Sequence, residues 1–430
     1  MPGTSSTSSL SSRRILYSLS LLGFFAIFST TISKNPVLPL FSQALGAGDA
    51  VIGLIAAVSP LAGILFSFPV GVFSDHLGRR RLLIASGLVF LSAPLLYLII
   101  SNPVWLIPVR FFHGTATAIL GPVISAIIAE RFPGNKGEML GQYSSATLIG
   151  RTLAPLVGGF VISFFVLYPG LIPYRIVYIV AALAALPVVI LILMYREEKR
   201  VSLAFVPFSS FRNSFIIFFS EPRLRATAFV EMATYFAFGS FETFFPLVLL
   251  SQGISAYLIG ALFAVLTLVI AATKPFFGRI ADRVDKRIQI VIGLLVLGGS
   301  TAAIPFASSF AVFLLVSSLI GLGISLSTVA TSAYIADVTQ KGQMGASMGA
   351  LSSIMDIGHS AGPVVTGVII ASSGFVLGFF SSLLIAVAVC GLFALSVRDR
   401  AVGRNLGQAE GDAVQHSHAE STSSNEHEEL

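Results

Sequence analysis

Eight ionisable side chains stand inside long apolar runs of this 430-residue chain: Lys34, Arg110 and Arg151; Glu231, Glu242 and Asp356; His113 and His359. Three formal positives against three negatives suggest mutual compensation. A charge in an apolar interior costs about 2.5–3.5 kcal/mol even on mild scales, and such groups usually face a cavity. The chemistry open to this set is proton exchange. A carboxyl group in apolar surroundings holds its proton more readily than one in water, so it can load on one side of a barrier and unload on the other. Asp356 ranks first for that role by its mid-segment position, then Glu242 and Glu231. His359 and His113 can assist because imidazole titrates near neutrality, although a hydrogen-bonded buried histidine is the commoner case. Arginine does not release its proton usefully, so Arg110 and Arg151 are read as anchors that tune the acids or bind an anionic substrate. The plain alternative for each residue is a fixed structural ion pair.

Spacing narrows these roles. Glu231 and Glu242 are eleven residues apart, about three helical turns, so they share one helix face. Tyr235 and Phe238 lie on that face as cavity candidates. Phe241, Phe244 and Phe245 could stack an apolar compound, though packing is the commoner use of such residues. Asp356 precedes His359 by one turn, and Arg110 and His113 are neighbours on another segment. Lys274 lies near a helix end, from which it can snorkel.

The segments that carry these groups are membrane helices. Hydrophobic residues make up 55% of the chain and charged residues 11%, where a soluble domain carries about 25% charged. Mean hydropathy is +0.89. A spanning helix needs about 20 apolar residues. Twelve segments qualify: 15–41, 49–73, 82–101, 103–129, 138–166, 172–195, 224–250, 255–278, 288–308, 310–336, 342–370 and 374–396. The expected fold is an all-α integral membrane protein of twelve transmembrane helices. It divides into a segment 1–14, a six-helix bundle 15–195, a linker 196–223, a second bundle 224–396 and a disordered tail 397–430. Of the 26 Lys and Arg residues, 21 fall in one set of loops and termini, and the opposite loops hold only Arg175. Positive loops stay inside, so both termini and the linker are expected in the cytoplasm and the protein in the cell membrane. No cleavable signal peptide is expected, because the first apolar run is too long and no small-residue cleavage site follows it. The lone Cys390 excludes an internal disulfide and a cysteine metal centre. His416, His418 and His427 in the tail are read as solvated, and no metal site is expected. Basic residues are spread over short loops, which argues against nucleic acid as a partner.

The two halves repeat at an offset of 207 to 208. "GVFSDHLGRR" (71–80) overlays "GRIADRVDKR" (278–287), and "SAIIAE" (125–130) overlays "SAYIAD" (332–337). Gly141, Gly150 and Pro155 overlay Gly349, Gly358 and Pro363. "SKNPVLPL" (33–40) overlays "SFETFFPL" (240–247), so Asn35 matches Glu242. Six spans per half make the repeat parallel, with its axis along the membrane normal. Lys34 lies 19 residues beyond the start of its segment, about 28 Å along a helix. Snorkelling to the outer interface is one reading. The repeat favours another: Lys34 faces the cavity, with Glu242 as its partner across the halves. Arg79 and Glu130 are 51 residues apart, as are Lys286 and Asp337. That doubled spacing predicts two symmetry-related cation–carboxylate latches, expected to hold the cytoplasmic side closed.

These motifs resemble the major facilitator superfamily across the whole membrane portion. The loop Gly71, Asp75, Gly78, Arg79, Arg80 is similar to that family's signature between helices 2 and 3, with Gly278, Asp282 and Lys286 in the second half. His76 departs from the usual Arg or Lys. Arg110 to Gly114 resembles its helix-4 motif. Gly141, Gly150, Pro155, Gly158 and Gly159 resemble the helix-5 pattern of drug/proton antiporters, with Ala154 in place of one glycine; Gly358, Gly362 and Pro363 serve the second half. The resemblance implies helices 1, 4, 7 and 10 around a central cavity, with 5 and 11 flanking it. It implies a monomeric secondary transporter in the lipid bilayer that exports small apolar or amphipathic compounds by alternating access, driven by a proton gradient and without a cofactor. The alternative is a symporter or facilitator taking up a polar or anionic metabolite held by Lys34, Arg110 and Arg151. A transporter-like sensor is a third reading, disfavoured by intact loop motifs in both halves. An enzyme is not expected: no nucleophile elbow, zinc constellation or phosphate-binding loop occurs.

Overall fold

The computed structural model describes residues 5–195, 216, 218–339 and 344–425; for 5–13, 68, 71–77, 344–346 and 398–425 it gives the backbone. Every regular element among the described residues is helical. Besides two short 3-10 turns (Pro103–Trp105 and Ile304–Phe306), they are in chain order α1 (Ser5–Ile32), α2 (Val37–Ala44), α3 (Asp49–Leu77), α4 (Arg79–Leu98), α5 (Leu106–Arg131), α6 (Lys136–Phe164) and α7 (Ile172–Met194), followed by α8 (Pro222–Ser251), α9 (Ala256–Ala281), α10 (Lys286–Ala303), α11 (Phe310–Val338) and α12 (Met344–Asn425).

Eleven helical stretches are long and apolar enough to span a bilayer, and one of them, Ser347–Val397, has 51 residues. A straight helix of that length would be about 76 Å long, over twice the hydrocarbon thickness. It turns at Gly374, whose φ of 82° is non-helical, so α12 has two arms and the crossings number twelve. Three boundaries differ from expectation. The segment expected as one helix over 15–41 is two, α1 and α2, parted by the turn 33–36. Pro36 lacks an N–H and disfavours helical backbone at the residue before it. Helix α1 also starts earlier, at Ser5. The last arm stays helical to Asn425, where a disordered tail from 397 was expected; no proline interrupts that stretch. The linker 196–215 lies outside the described residues.

The halves share one packing plan. In the first, α1 packs on α6, α3 on α5 and α4 on both α5 and α7; in the second, α8 packs on α12, α9 on α11 and α10 on both α11 and α12. Between halves, α3 meets α12, and α6 meets α9. Glycines allow these approaches. A Cβ on Gly150 would stand 2.6 Å from the Phe24 carbonyl, and one on its repeat mate Gly358 would overlap the Met232 carbonyl.

The apolar core is single at one end and divided at the other. One cluster draws Phe41, Tyr97 and Tyr178 from the first half and Phe241, Phe245 and Phe313 from the second. Toward the arginine-rich loops the clusters are separate: one built on Leu19, Phe90 and Ile127, others on Leu294 and Phe393 and on Ile335 and Ile354. There Gly141 and Gly349 face open space. The halves thus share one apolar core at the end away from the arginines and keep separate cores near them.

Candidate transport site

The turn that ends α1 places Lys34 and Asn35 where α8 and α12 pass. Lys34 Nζ lies 2.6 Å from Glu242 Oε2 on α8 and 3.3 Å from His359 Nε2 on α12. His359 Nε2 is 2.7 Å from the same carboxylate oxygen, so an N–H at Nε2 satisfies it. Asn35 Nδ2 donates to Glu242 Oε1 at 2.7 Å. Glu242 therefore has three hydrogen-bond partners while its side chain is only 10% exposed. The pairing joins the two halves. Asn35 and Glu242 are repeat mates, 207 residues apart. Repeat mates can touch only near the axis that relates them, so this contact marks the centre of the molecule. Lys34 points at protein and not at the outer interface, and the snorkelling reading fails.

Aromatic rings line one side. Phe238 and Tyr235 lie 5.7 and 6.1 Å from the His359 ring, centroid to centroid. Both are half-buried. Phe241, Phe244 and Phe245 are fully buried in the shared core, so they pack and do not line a path.

The other ionisable residues separate into distinct places. Asp356, ranked first from sequence, is not in the Glu242 network. Its carboxylate faces α3 at Gly63, where an added Cβ would stand 2.9 Å from Oδ2. Glu231 is buried and lines a cavity of about 350 Å³ in the second half, with Tyr235, Lys274, Met348 and Met355. Arg151 is exposed on α6, and its charge acts on Lys34, Tyr235, Lys274 and His359, so it faces the space between the halves. Arg110 and His113 are buried, and the Arg110 charge acts on Lys34 as well.

Both latches form. Arg79 holds Glu130 through its two terminal guanidinium nitrogens, and Lys286 Nζ lies 2.9 Å from Asp337 Oδ2. Each joins neighbouring helices of one half, α4 to α5 and α10 to α11. These two ion pairs brace each bundle and do not themselves bridge the halves. The side chains of Asp75 and His76, and the surroundings of Gly71, lie outside what the structure describes. Gly278 and the exposed Asp282 end α9, and Gly78 caps α4.

The helix-5 motif works at the seam. A Cβ on Gly260 would overlap the Pro155 carbonyl, and one on Gly53 would overlap the Pro363 carbonyl. Gly53 and Gly260 are repeat mates, as are Pro155 and Pro363, so one contact occurs twice across the halves. Gly159 packs on the Ala256 backbone of α9, and Gly158 packs on Ile32 and Val37. Gly362 packs on the Phe236 backbone. Tyr257 N donates to Ser163 Oγ at 2.9 Å, and Ser360 Oγ donates to the Ala57 carbonyl at 3.1 Å. Sequence reading missed Gly53 and Gly260, although their 207-residue offset was there to find. It also missed the tyrosines around Arg110, for which no motif gave a signal.

The Major Facilitator Superfamily model matches residues 19–272 and 227–419. An uncharacterized MFS-type transporter of Methanocaldococcus jannaschii is 24% identical over 360 residues, covering 80% of this chain and 90% of the relative. Two Bacillus subtilis proteins are also similar. Multidrug resistance protein 2 is 21% identical over 84% of this chain and 90% of its own. The bacillibactin exporter is 23% identical over 86% of this chain and 94% of its own. Among solved structures, a bacterial homolog of the human lysosomal transporter Spinster, inward-facing and unoccupied, matches with TM-score 0.72 and 17% identity over 92% of this chain and 96% of that one.

Proposed function

From the premise that the chain belongs to the Major Facilitator Superfamily and is a multi-pass membrane transporter, we propose that it exports small apolar or amphipathic compounds in exchange for protons, by alternating access. The observation that carries the reading is the Lys34–Glu242–His359 network across the two halves. A Lys34–Glu242 pair requires an ionised Glu242. Closing the fused end and discharging a proton from Glu242 are then one event, and taking a proton there frees the halves to part. His359, on the same carboxylate oxygen, is the group through which the proton moves. The termini are assigned to the cytoplasm by loop charge, which makes the described form inward-open. Tyr235, Phe238 and the Glu231 cavity offer an apolar compound its first contacts. Similarity to a multidrug resistance protein and to an exporter supports the outward direction. Uptake of an anion on three bases is less well supported, because Lys34 is committed to Glu242 and Arg110 is only 2% exposed.

The test is proton flux in inverted vesicles. Compounds should release protons from an acidified lumen in wild type. Glu242→Gln should lose this flux yet keep compound counterflow. Counterflow without any proton movement in wild type, across a broad compound panel, would end the coupling; unchanged coupling in Glu242→Gln would remove Glu242 from it.

A further inference from the structure

Arg110 lies in the interior of the first bundle, 2% exposed, five residues into α5. The first half, 15–195, has four acids: Asp49, Asp75, Glu130 and Glu138. All sit at the ends of α3, α5 or α6. Glu130 holds Arg79, and it is 20 residues along α5 from Arg110, about 30 Å. Glu242 is saturated by Lys34, Asn35 and His359. Lys34 adds a second positive potential at Arg110. A buried charge without a counter-charge costs several kcal/mol.

Around Arg110 stand Tyr97, Tyr178 and His113, none of which supplies a negative charge. The Tyr97 hydroxyl lies 3.5 Å from His113 Nδ1; donating there, it puts the ring N–H of His113 at Nε2. His113 Nε2, Arg110 Nε and the Tyr178 hydroxyl have no hydrogen-bond partner among the described residues. His113 is 1% exposed and Tyr178 0%. Their rings touch one another: Tyr97 stacks on Tyr178 at 4.3 Å, and His113 lies 6.0 Å from Tyr97. Phe41 abuts Tyr178 at 5.3 Å, and Phe90 abuts His113 at 6.4 Å. Close packing of these rings favours a small, spherical acceptor over a larger organic anion.

We propose that the first bundle holds a resident chloride-sized anion beside Arg110, bound by Arg110 Nε, Tyr178 Oη and His113 Nε2. It would neutralise Arg110 within the bundle, and does not depend on what the protein exports.

The experiment is thermal unfolding of the purified full chain in gluconate at constant ionic strength, titrated with chloride or bromide. Wild type should show a saturable rise in Tm. Tyr178→Phe, which keeps the ring, should need at least tenfold more halide, and Arg110→Gln should not respond. Should Arg110→Gln fail to fold, His113→Gln takes its place with the expectation of Tyr178→Phe. Bromide anomalous diffraction should place the ion beside Arg110. Equal Tm in gluconate and chloride, wild-type halide response in the variants, or an equal shift with acetate would each overturn the site.

Discussion

The two bundles share a backbone plan and oppose each other in charge. Their helix pairs, their seam glycines and their Pro155/Pro363 carbonyls correspond one to one. Their interiors do not. The first half carries Lys34, Arg110 and Arg151; the second carries Glu231, Glu242 and Asp356. Geometry is repeated where the halves must fit, and chemistry differs where they must interact. Opposite interiors attract across the axis, and Lys34–Glu242 is where that attraction becomes a bond. A symmetric pair of acids or bases at the axis would repel instead.

The seam is the sharpest test of the shared part. Alanine at both Gly53 and Gly260 puts a Cβ into each opposing proline carbonyl. Overpacking costs about 1–3 kcal/mol per site, enough to shift a two-state balance by roughly 5- to 150-fold. The fused end should open more often. In a Cys390→Ser background, a cysteine at Leu38, 2% exposed at that end, should react several-fold faster with an impermeant maleimide. Unchanged labelling in a folded double variant would show that the repeated contact does not hold the halves.

Much of this was legible in the chain. The count of crossings followed from apolar run lengths, because the bilayer demands them. The Lys34–Glu242 partnership followed from the repeat, because a parallel two-fold forces residues at one offset to one depth. The latch pairs followed from the doubled 51-residue spacing. Spacing did not say whether a pair spans one bundle or two, and the latches proved internal. Nor did it give facing. Asp356 and His359 lie one turn apart on one helix, yet only His359 reaches Glu242, because α12 presents Asp356 to Gly63 of α3. The break at 33–36 was hidden inside an apolar run, although Pro36 marked it.

The latches ask whether the halves are braced equally. Arg79 is 1% exposed and held by two bonds, while Asp337 leaves 57% of its side chain in solvent. Glu130→Gln should cost about 1–2 kcal/mol, discounted because Glu130 is itself partly exposed. Lys286→Gln should cost about 0.2–1 kcal/mol. Thermal unfolding in detergent reads both. Equal losses would mean that burial of the arginine adds nothing, and faster labelling at Leu38→Cys in either variant would contradict a purely internal brace.

The smallest effect lies one residue before each latch cation, where the repeat mates Gly78 and Asp285 cap α4 and α10. Gly78 has φ 83° and makes no side-chain cap bond. Asp285 has φ −57° and accepts from Arg287 N at 2.9 Å. The Arg287 side chain also donates to it and holds its carboxyl below the ordinary 3.8. A lowered carboxyl contributes fully above its unfolded value, and the contribution fades as pH falls through the folded one. Asp285→Ala should therefore cost about 0.5 kcal/mol at neutral pH, since solvent screens the cap. The Tm gap to wild type should hold down to about pH 4 and narrow below it. A gap that persists to lower pH would remove the carboxylate from the explanation. Gly78→Asp should not reproduce the cap, because positive φ strains any side chain there; a stabilised Gly78→Asp would mean that the two caps differ by residue and not by backbone.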